Sequence, residues 1–224
     1  MLRCEDQELM DALDATDEDL AQSYRELHRT NSWLGNTRAV LRLLRQNPQS
    51  IQRVLDIGCG YGALLVEIRE EFDVQVVGMD LRPAPPNAPV PILTGNAATD
   101  PLPEADVAVC MMMAHHLSEL ELAEMIHNVS RFCQRFIILD LVRHPVPLAL
   151  FRAFVSPLLG RVNALDGQTS IRRAYTSAEM DRIVKSTLAS GSRPVSSLRH
   201  TVSPLWIRQV VDILWEPAEI DNQH

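Results

Sequence analysis

A buried strand, a glycine-rich turn and the start of a helix follow one another in the first third of the chain. Residues 54–57 are apolar except for Asp56, and residues 58–62 read Gly-Cys-Gly-Tyr-Gly. Because Gly58 and Gly60 lack a Cβ, the backbone can adopt unusual dihedral angles and a ligand can lie close against it. The first N–H groups of the following helix have no partner within that helix and are available to the same ligand. The segment therefore predicts a ligand site at the end of a buried strand.

The spacing of the glycines and the charge of Asp56 restrict the choice of ligand. A dinucleotide pyrophosphate binds well at a helix N-terminus, but its fingerprint is Gly-x-Gly-x-x-Gly, and here Gly62 comes one residue early. A carboxylate at Asp56 would repel a pyrophosphate, whereas it suits a cation such as an ammonium group. A second apolar strand, residues 74–79, ends in Asp80, where an acid is placed to bind ribose hydroxyls. S-adenosylmethionine carries both a cationic amino-acid end and an adenosine end.

With Asp-x-Gly-x-Gly-x-Gly from Asp56 to Gly62, the chain resembles the class I S-adenosylmethionine-dependent methyltransferases. The resemblance implies an α/β fold with a doubly wound, mostly parallel, seven-stranded sheet of the Rossmann-like type. It implies S-adenosylmethionine as cofactor and S-adenosylhomocysteine as product. The cofactor residues implied are Asp56, Gly58, Cys59, Gly60, Asp80, Leu81, Asn96, Ala97 and Met111. Asn96 stands where the family often has an acid, and its side-chain oxygen can still accept a hydrogen bond from the adenine amino group.

The alternation of apolar strands with helical segments predicts the same doubly wound sheet. Residues 92–94, 106–113 and 135–141 are the expected third, fourth and fifth strands, and segments near 194–201 and 205–214 are the expected closing antiparallel pair.

Local signals fix several helix boundaries. Capping boxes at Ser118 with Glu121 and at Thr176 with Glu179 predict helices over about 119–133 and up to about 189. Five prolines between Pro83 and Pro91 exclude a crossover helix there.

The chain is expected to divide into an N-terminal helical cap, residues 1–48, and a methyltransferase domain, residues 49–224. In the cap, helices are predicted from Thr16 to about residue 29 and over 37–46, with a break at 29–35 and an end at Asn47-Pro48. An apolar insertion after the fifth strand, about 145–175, is predicted to be an acceptor lid, with core packing or a dimer contact as the alternatives.

Short motifs within residues 140–145, 166–167 and 170–176 resemble a bacterial subgroup of these enzymes that is associated with type III polyketide synthases. The resemblance implies a small aromatic or lipophilic acceptor such as a phenol, a quinone or a polyketide, methylated on oxygen or carbon. The expected acceptor residues are Trp33, Asn31, Phe151 and Arg172. An ion-pair network that pins the lid is expected from Asp140, Arg143, Asp166, Arg172 and Arg173, with orientation of a polar acceptor group as the alternative.

A phenol acceptor would benefit from a general base, which is typically worth about 10²–10⁴-fold in rate. His116 is the first candidate and His115 the second, because the end of the fourth strand faces the transferring methyl group, and His144 is the third. The alternative for each is a structural histidine.

Composition bounds the remaining possibilities. The formal net charge of −8 argues against a nucleic-acid substrate, because such proteins usually carry a basic face. The four cysteines show no CxxC spacing and indicate a reduced, cytoplasmic protein without a metal site. No apolar run is long enough to span a membrane. A homodimer is possible.

Two rival functions stay open at this point. An NAD(P)-dependent reductase is one, since Arg82 after Asp80 would suit a 2′-phosphate, although the glycine spacing, Asp56 and the lack of a Tyr-x-x-x-Lys pair weigh against it. A catalytically silent binding protein with the methyltransferase fold is the other.

Overall fold

The computed structural model describes residues 1–4, 6, 17–46 and 51–217. Its centre is a seven-stranded sheet in the order β3-β2-β1-β4-β5-β7-β6. The strands are β1 (Arg53–Ile57), β2 (Gln75–Asp80), β3 (Ile92–Thr94), β4 (Ala105–Met111), β5 (Cys133–Leu141), β6 (Val195–Val202) and β7 (Arg208–Trp215). Strands β1 to β5 pair in parallel, and β7 pairs antiparallel with both β5 and β6. The predicted mostly parallel sheet and its antiparallel closing pair are confirmed.

Helices cover both faces of this sheet. They are α1 (Asp17–Trp33), α2 (Asn36–Arg45), α3 (Ala63–Phe72), α4 (Glu119–Phe132), α5 (Pro145–Leu150), α6 (Arg161–Arg173) and α7 (Ser177–Ser190). Short helical turns lie at Ala114–His116, Phe151–Val155, Ser156–Leu158 and Pro204–Trp206. Among the described residues, no helix is long and apolar enough to cross a membrane.

Alternate residues of the central strands supply two separate hydrophobic layers. Leu55 and Ile57 of β1 pack into the layer under α4 and α7, whereas Val54 packs into the layer under α2 and α3. Because both faces are covered, the central strands are apolar almost throughout, as is typical of parallel sheets. Asp56 is therefore a costly exception to the pattern of β1.

The capping boxes form as the sequence predicts. The Ser118 hydroxyl accepts the Glu121 N–H at 3.3 Å, and the Glu121 carboxylate accepts the Ser118 N–H at 2.7 Å. Thr176 and Glu179 repeat the arrangement at 3.2 and 2.8 Å. Each box satisfies two backbone donors that a helix start otherwise leaves unpaired.

The first helix is longer than predicted, and the expected break at 29–35 is wrong for most of its length. Residue 34 still donates its N–H to the Thr30 carbonyl at 2.8 Å, so the polar residues after 29 are accommodated within the helix. The chain turns only at Gly35, whose φ of 76° lies in the left-handed region that favours glycine. The predicted boundaries at Thr16 and at Asn47-Pro48 lie outside the described residues.

The connection between β2 and β3 contains no helix, in agreement with its prolines. Residues 81–91 form bends and a turn, and the chain enters β3 directly from Pro91. The Gly78 N–H donates to the Pro91 carbonyl at 2.8 Å, so this loop is joined to the sheet. Strand β3 is short, with three residues, and lies at the edge of the sheet.

Candidate cofactor and acceptor site

A cavity of about 720 Å³ opens at the carboxyl ends of β1, β2 and β4. Parallel sheets of this type bind ligands at that edge. Helices α1 and α6 and the His115-His116 turn close the cavity on the other side. Every cofactor residue expected from the sequence lines this one cavity: Asp56, Gly58, Cys59, Gly60, Asp80, Leu81, Asn96, Ala97 and Met111.

The turn after β1 is built on glycines in the left-handed region. Gly58 has a φ of 70° and Gly60 a φ of 53°, and other residues rarely adopt such values. A Cβ on Gly58 would lie 2.5 Å from Met113 Cγ, and a Cβ on Gly60 would lie 2.6 Å from Tyr24 Cε1. The backbone therefore approaches the walls of the cavity too closely for any side chain.

Asp80 joins the end of β2 to this turn. Its Oδ2 accepts the Gly60 N–H at 2.8 Å, and its Oδ1 accepts the Arg82 N–H at 3.0 Å. A carboxylate oxygen has a second lone pair, so both oxygens retain acceptor capacity toward a ligand. Asp80 thus shapes the turn and presents a negative charge to the cavity at the same time.

Asp56 lies deeper in the same edge and is only 3% exposed. Burial raises the pKa of this carboxyl well above its ordinary value, and the negative charge of Asp80 raises it further. A cation placed in the cavity would offset both effects, because an opposite charge nearby favours the ionised form.

The remaining cofactor candidates take different positions on the wall. Leu81 is 70% exposed at the rim. The Asn96 side-chain oxygen accepts the Ala98 N–H at 2.9 Å, so it also holds the loop that carries Ala97. The Cys59 sulfur packs so close to β2 that a Cβ on Gly78 would lie 2.4 Å from it, and burial raises the pKa of the thiol.

One face of α1 covers the cavity. It presents residues at helical spacing: Tyr24, Arg25, Leu27, His28 and Asn31. Of the two acceptor residues expected on this segment, Asn31 lies in the cavity wall, whereas Trp33 does not and is 63% exposed. Since α1 remains helical through residue 33, the position two residues after Asn31 faces away from the cavity.

A second helix, α6, forms the opposite part of the wall with Asp166, Gly167, Ser170 and Arg173. Arg172, which the sequence predicted as an acceptor residue, does not line the cavity. Asp166, Ser170 and Arg173 are separated by four and then three residues, a spacing that places side chains on one face of a helix. Residue 172 lies beside that face.

Phe151 packs behind this wall rather than in it. Gly167 leaves room for its ring, since a Cβ there would lie 2.3 Å from Phe151 Cζ. Within residues 145–175, α6 therefore contacts the cavity, whereas α5 and the following turn do not line it. Phe154 and Leu158 are exposed instead.

The three candidate histidines occupy three different environments. His116 lines the cavity. His115 is 3% exposed. Its ring Nδ1 is hydrogen-bonded to Asp140 Oδ1 at 2.7 Å, and its backbone N–H donates to Asp140 Oδ2 at 2.7 Å. His144 lies outside the cavity, where its ring stacks on Trp206 at 4.3 Å and its side chain accepts the Val146 N–H.

Two members of the expected ion-pair network bond to residues outside the expected set. Asp140 pairs with His115, and Arg143 pairs with Glu179 and donates to the Ala174 carbonyl. Each of these partners lies on an element distant in sequence, which short motifs do not reveal. Among the described residues, no three His, Cys, Asp or Glu side chains are grouped to hold a metal ion.

Sequence reasoning did not predict Tyr24 and His28 as site residues, although both line the cavity. The spacing of Tyr24, His28 and Asn31 along α1 is a helical repeat and would have identified that face. The backbone beside Met113 is also unusual, because Met112 has a φ of 58°, and no local signal indicates that value.

Comparison with known proteins agrees with the geometry. The family described as "Methyltransferase domain" matches residues 24–137, just over half of the chain. A search of curated protein sequences gave no match.

Solved structures share the fold at low sequence identity. The plantazolicin methyltransferase BamL, in complex with a triazolic desmethylPZN analog and SAH, has a TM-score of 0.69 at 13% identity, with 89% of this chain and 91% of that chain covered. The related BpumL in complex with SAH has a TM-score of 0.65 at 14% identity, with coverages of 90% and 91%. Human N-acetylserotonin methyltransferase in complex with SAM has a TM-score of 0.62 at 15% identity, with coverages of 93% and 59%.

The glycine turn, the strand order and the match to the family over residues 24–137 lead to one conclusion: this chain belongs to the methyltransferase-domain family and has the Rossmann-like fold of class I methyltransferases.

Proposed function

We propose that this protein transfers the methyl group of S-adenosylmethionine to a small aromatic or lipophilic acceptor. One observation carries the proposal: a single cavity is lined by the Asp56–Gly60 turn, by Asp80 and by His116. The turn and Asp80 suit the cofactor, and His116 suits proton removal from an acceptor. Structures of relatives crystallised with SAH or SAM support the choice of cofactor.

The residues present fit this cofactor on two counts. Gly58 and Gly60 line the cavity with backbone alone, so a ligand can lie close against that part of the wall. Asp56 is a buried carboxyl whose raised pKa a ligand cation would lower, as the ammonium group of the methionine moiety does. When bound, the cofactor supplies a sulfonium methyl group that is already activated for in-line displacement.

The protein's own contribution begins with position. Asp80 would hold the ribose hydroxyls through lone pairs that its bonds to Gly60 and Arg82 leave available. Leu81 would cover the adenine, and Asn96 with Ala97 would border its edge. Helix α1, within the expected N-terminal cap, forms the roof of the cavity. Correct alignment of two reactants is worth up to about 7–11 kcal/mol in well-oriented systems.

His116 removes the acceptor proton as methyl transfer proceeds. Its ring lies against that of His115, with centroids 4.3 Å apart, and His115 is in turn fixed by the Asp140 carboxylate. The buried pair of His115 and Asp140 limits the space available to the His116 ring. Since His115 has little exposure and lies outside the cavity wall, His116 is the better proton acceptor.

The acceptor side of the cavity suits a flat, apolar molecule. Met112 and Met113 are adjacent in the chain, and both line the wall, as does Met125. Methionine sulfur makes favourable contacts with aromatic rings, and its flexible side chain adapts to irregular shapes. Residues 145–175 contribute α6 to this wall, and a phenol, a quinol or a polyketide with a free hydroxyl matches its chemistry.

A calorimetric titration with S-adenosylhomocysteine tests the proposal, with NADPH as the competing ligand. Binding of the thioether alone, weakened in Asp80→Ala, is the expected result, since each lost hydrogen bond to a charged group costs about 1.5–3 kcal/mol. Binding of NADPH instead would identify a reductase, and binding of neither would contradict any cofactor role.

Transfer itself is tested with radiolabelled S-adenosylmethionine and three acceptors: phenol, 1-naphthol and 1,4-naphthohydroquinone. Turnover of a hydroxylated ring that is lost with its O-methyl ether indicates methylation on oxygen. Cofactor binding without transfer to any small molecule would favour the catalytically silent alternative.

A further inference from the structure

The side chain of Arg3 holds together parts of the molecule that are far apart in sequence. Its Nε donates to the Arg173 carbonyl at 2.7 Å, at the end of α6. One of its terminal nitrogens donates to the His115 carbonyl at 3.2 Å and to the Leu117 carbonyl at 2.6 Å. The guanidinium also lies 4.0 Å from the centre of the buried Tyr175 ring. Arg3 thus contacts both the last turn of α6 and residues 115–117, which we call the histidine turn.

The carbonyls of three consecutive residues in that turn accept hydrogen bonds from this cluster. Arg3 donates to those of His115 and Leu117, and Arg173 donates to that of His116 at 3.1 Å. The Tyr175 hydroxyl donates a further bond to Leu117 at 2.7 Å. The backbone that carries the His116 ring is therefore fixed by four hydrogen bonds to three consecutive carbonyls.

The segment that carries Arg3 is itself docked. The Cys4 N–H donates to the Arg172 carbonyl at 3.1 Å, and Arg173 donates to the Asp6 carbonyl at 3.4 Å. By contrast, the side chain of the adjacent Leu2 is 93% exposed. The docking consequently depends on Arg3 and on backbone groups rather than on apolar burial of its neighbour.

We propose that Arg3 is a positioning residue for the acceptor site, which acts by fixing the His115–Leu117 turn so that His116 faces the cavity. The proposal rests on the proposed function, in which His116 removes the acceptor proton. Arg3 does not line the cavity, so it touches neither the cofactor nor the acceptor. Its contribution passes through the backbone of the turn.

Charge and shape both make Arg3 difficult to replace. A guanidinium donates in a planar fork to several acceptors at once and stacks on an aromatic ring, whereas a lysine ammonium does neither in the same way. Arg3→Lys therefore retains the charge and loses most of the geometry. Arg3→Gln loses both, and Leu2→Ala is the matched control in the same segment.

The experiment compares these three variants with wild type by NMR of protein labelled with ¹³C at histidine Cε1, and by calorimetry with S-adenosylhomocysteine. We expect the His115 and His116 signals to shift in Arg3→Gln, to shift less in Arg3→Lys and to remain unchanged in Leu2→Ala. Affinity for the thioether should remain that of wild type in all three. Thermal unfolding identifies any variant that does not fold, in which case Arg3→Lys carries the test.

A kinetic arm uses the best of the three acceptors named above. Turnover in Arg3→Gln should fall by about tenfold or more at unchanged cofactor KM, because small misplacement of a catalytic group can cost up to about 10²-fold. In a His116→Ala background the same change should have no further effect, since residues that act through one another are not additive.

Each outcome decides between the positioning role and its alternatives. Unmoved histidine signals with wild-type turnover would overturn the proposal, and so would an equal loss of thioether affinity, which would indicate a general structural role. If wild type itself bound no thioether, the proposed function would fail, whereas the NMR comparison would still report whether Arg3 positions His116.

Discussion

The two ends of the cavity are built in different ways. The cofactor end is formed around the turn at Gly58 and Gly60, where the wall is bare backbone and the Gly60 N–H is bonded to the Asp80 carboxylate. At the acceptor end, the surface consists of side chains from α1, α6 and the histidine turn, which come together only through tertiary packing. The first end is specified within one strand-turn-helix unit, whereas the second is specified by contacts between distant elements.

This difference indicates how each end should tolerate change. A substitution at Gly58 or Gly60 is strained at the cofactor end, because the φ of each residue is positive and the new Cβ would lie less than 3.0 Å from Met113 or Tyr24. At the acceptor end a substitution meets flexible side chains such as the methionines, which adapt more readily. Binding of cofactor and turnover of acceptor should therefore respond to separate sets of variants.

The largest expected effect belongs to His116→Ala, which removes the proposed proton acceptor. Turnover of a phenol should fall by about 10²–10⁴-fold, while affinity for S-adenosylhomocysteine should be retained. His144→Ala is the matched control, because this histidine stacks on Trp206 outside the cavity. Equal turnover in His116→Ala and His144→Ala would contradict a role for His116 as the proton acceptor.

Gly58→Ala should weaken binding of S-adenosylhomocysteine by roughly 10- to 100-fold, because strained backbone costs of the order of 1–3 kcal/mol and the new Cβ collides with Met113. Gly62→Ala is the control at similar strain, since its φ is 77° and its Cβ would lie 2.5 Å from Val90 Cγ2. Gly62 does not line the cavity. We expect Gly62→Ala to lower the melting temperature more than the affinity. The reverse result would contradict a cofactor end that is formed by the backbone at Gly58 and Gly60.

Asp56→Asn should separate stability from binding. Burial raises the pKa of Asp56 in the folded protein above its ordinary 3.8, so its contribution to stability is complete below about pH 4 and is lost as pH rises through the raised value. The variant should therefore gain stability relative to wild type between pH 5 and pH 8, as thermal unfolding would measure.

The same variant should bind S-adenosylhomocysteine about tenfold more weakly, since it loses a charge-assisted hydrogen bond. In wild type, affinity should rise with pH as Asp56 ionises, and binding should release a proton that calorimetry in buffers of different ionisation enthalpy would detect. If the affinity of wild type for S-adenosylhomocysteine did not change with pH, Asp56 would not be the partner of the ligand cation.

The smallest effect is expected from Ser118→Ala, which removes the cap of α4 directly after the histidine turn. The free energy of unfolding should fall by about 0.5–2 kcal/mol, with cofactor affinity unchanged. If turnover fell as far as in His116→Ala, the acceptor end would depend on the α4 cap as well as on the Arg3 cluster.

Sequence reasoning succeeded where structure is local. The strand, the turn and the acid of the next strand lie within residues 54–80, and each has its own chemical signature, so their convergence on one cavity could be expected. The capping boxes at Ser118 and Thr176 are local in the same sense.

Positions on helix faces were harder to predict. Asn31, Trp33 and Arg172 were all expected in the acceptor site, yet of these three Asn31 alone lines the cavity, and Arg173 lines it where Arg172 was expected. An error of one or two positions rotates a side chain by 100° or 200° around a helix. The pairing of His115 with Asp140 spans 25 residues and requires knowledge of which strands are neighbours.

The proline-rich connection also affects how the protein behaves at high concentration. Strand β3 ends the sheet on one side with only three residues and is preceded by Pro91. A short edge next to proline offers few N–H groups to a strand from another molecule and so resists edge-to-edge aggregation. The opposite edge, β6, is eight residues long, and self-association through added strands should therefore begin at β6.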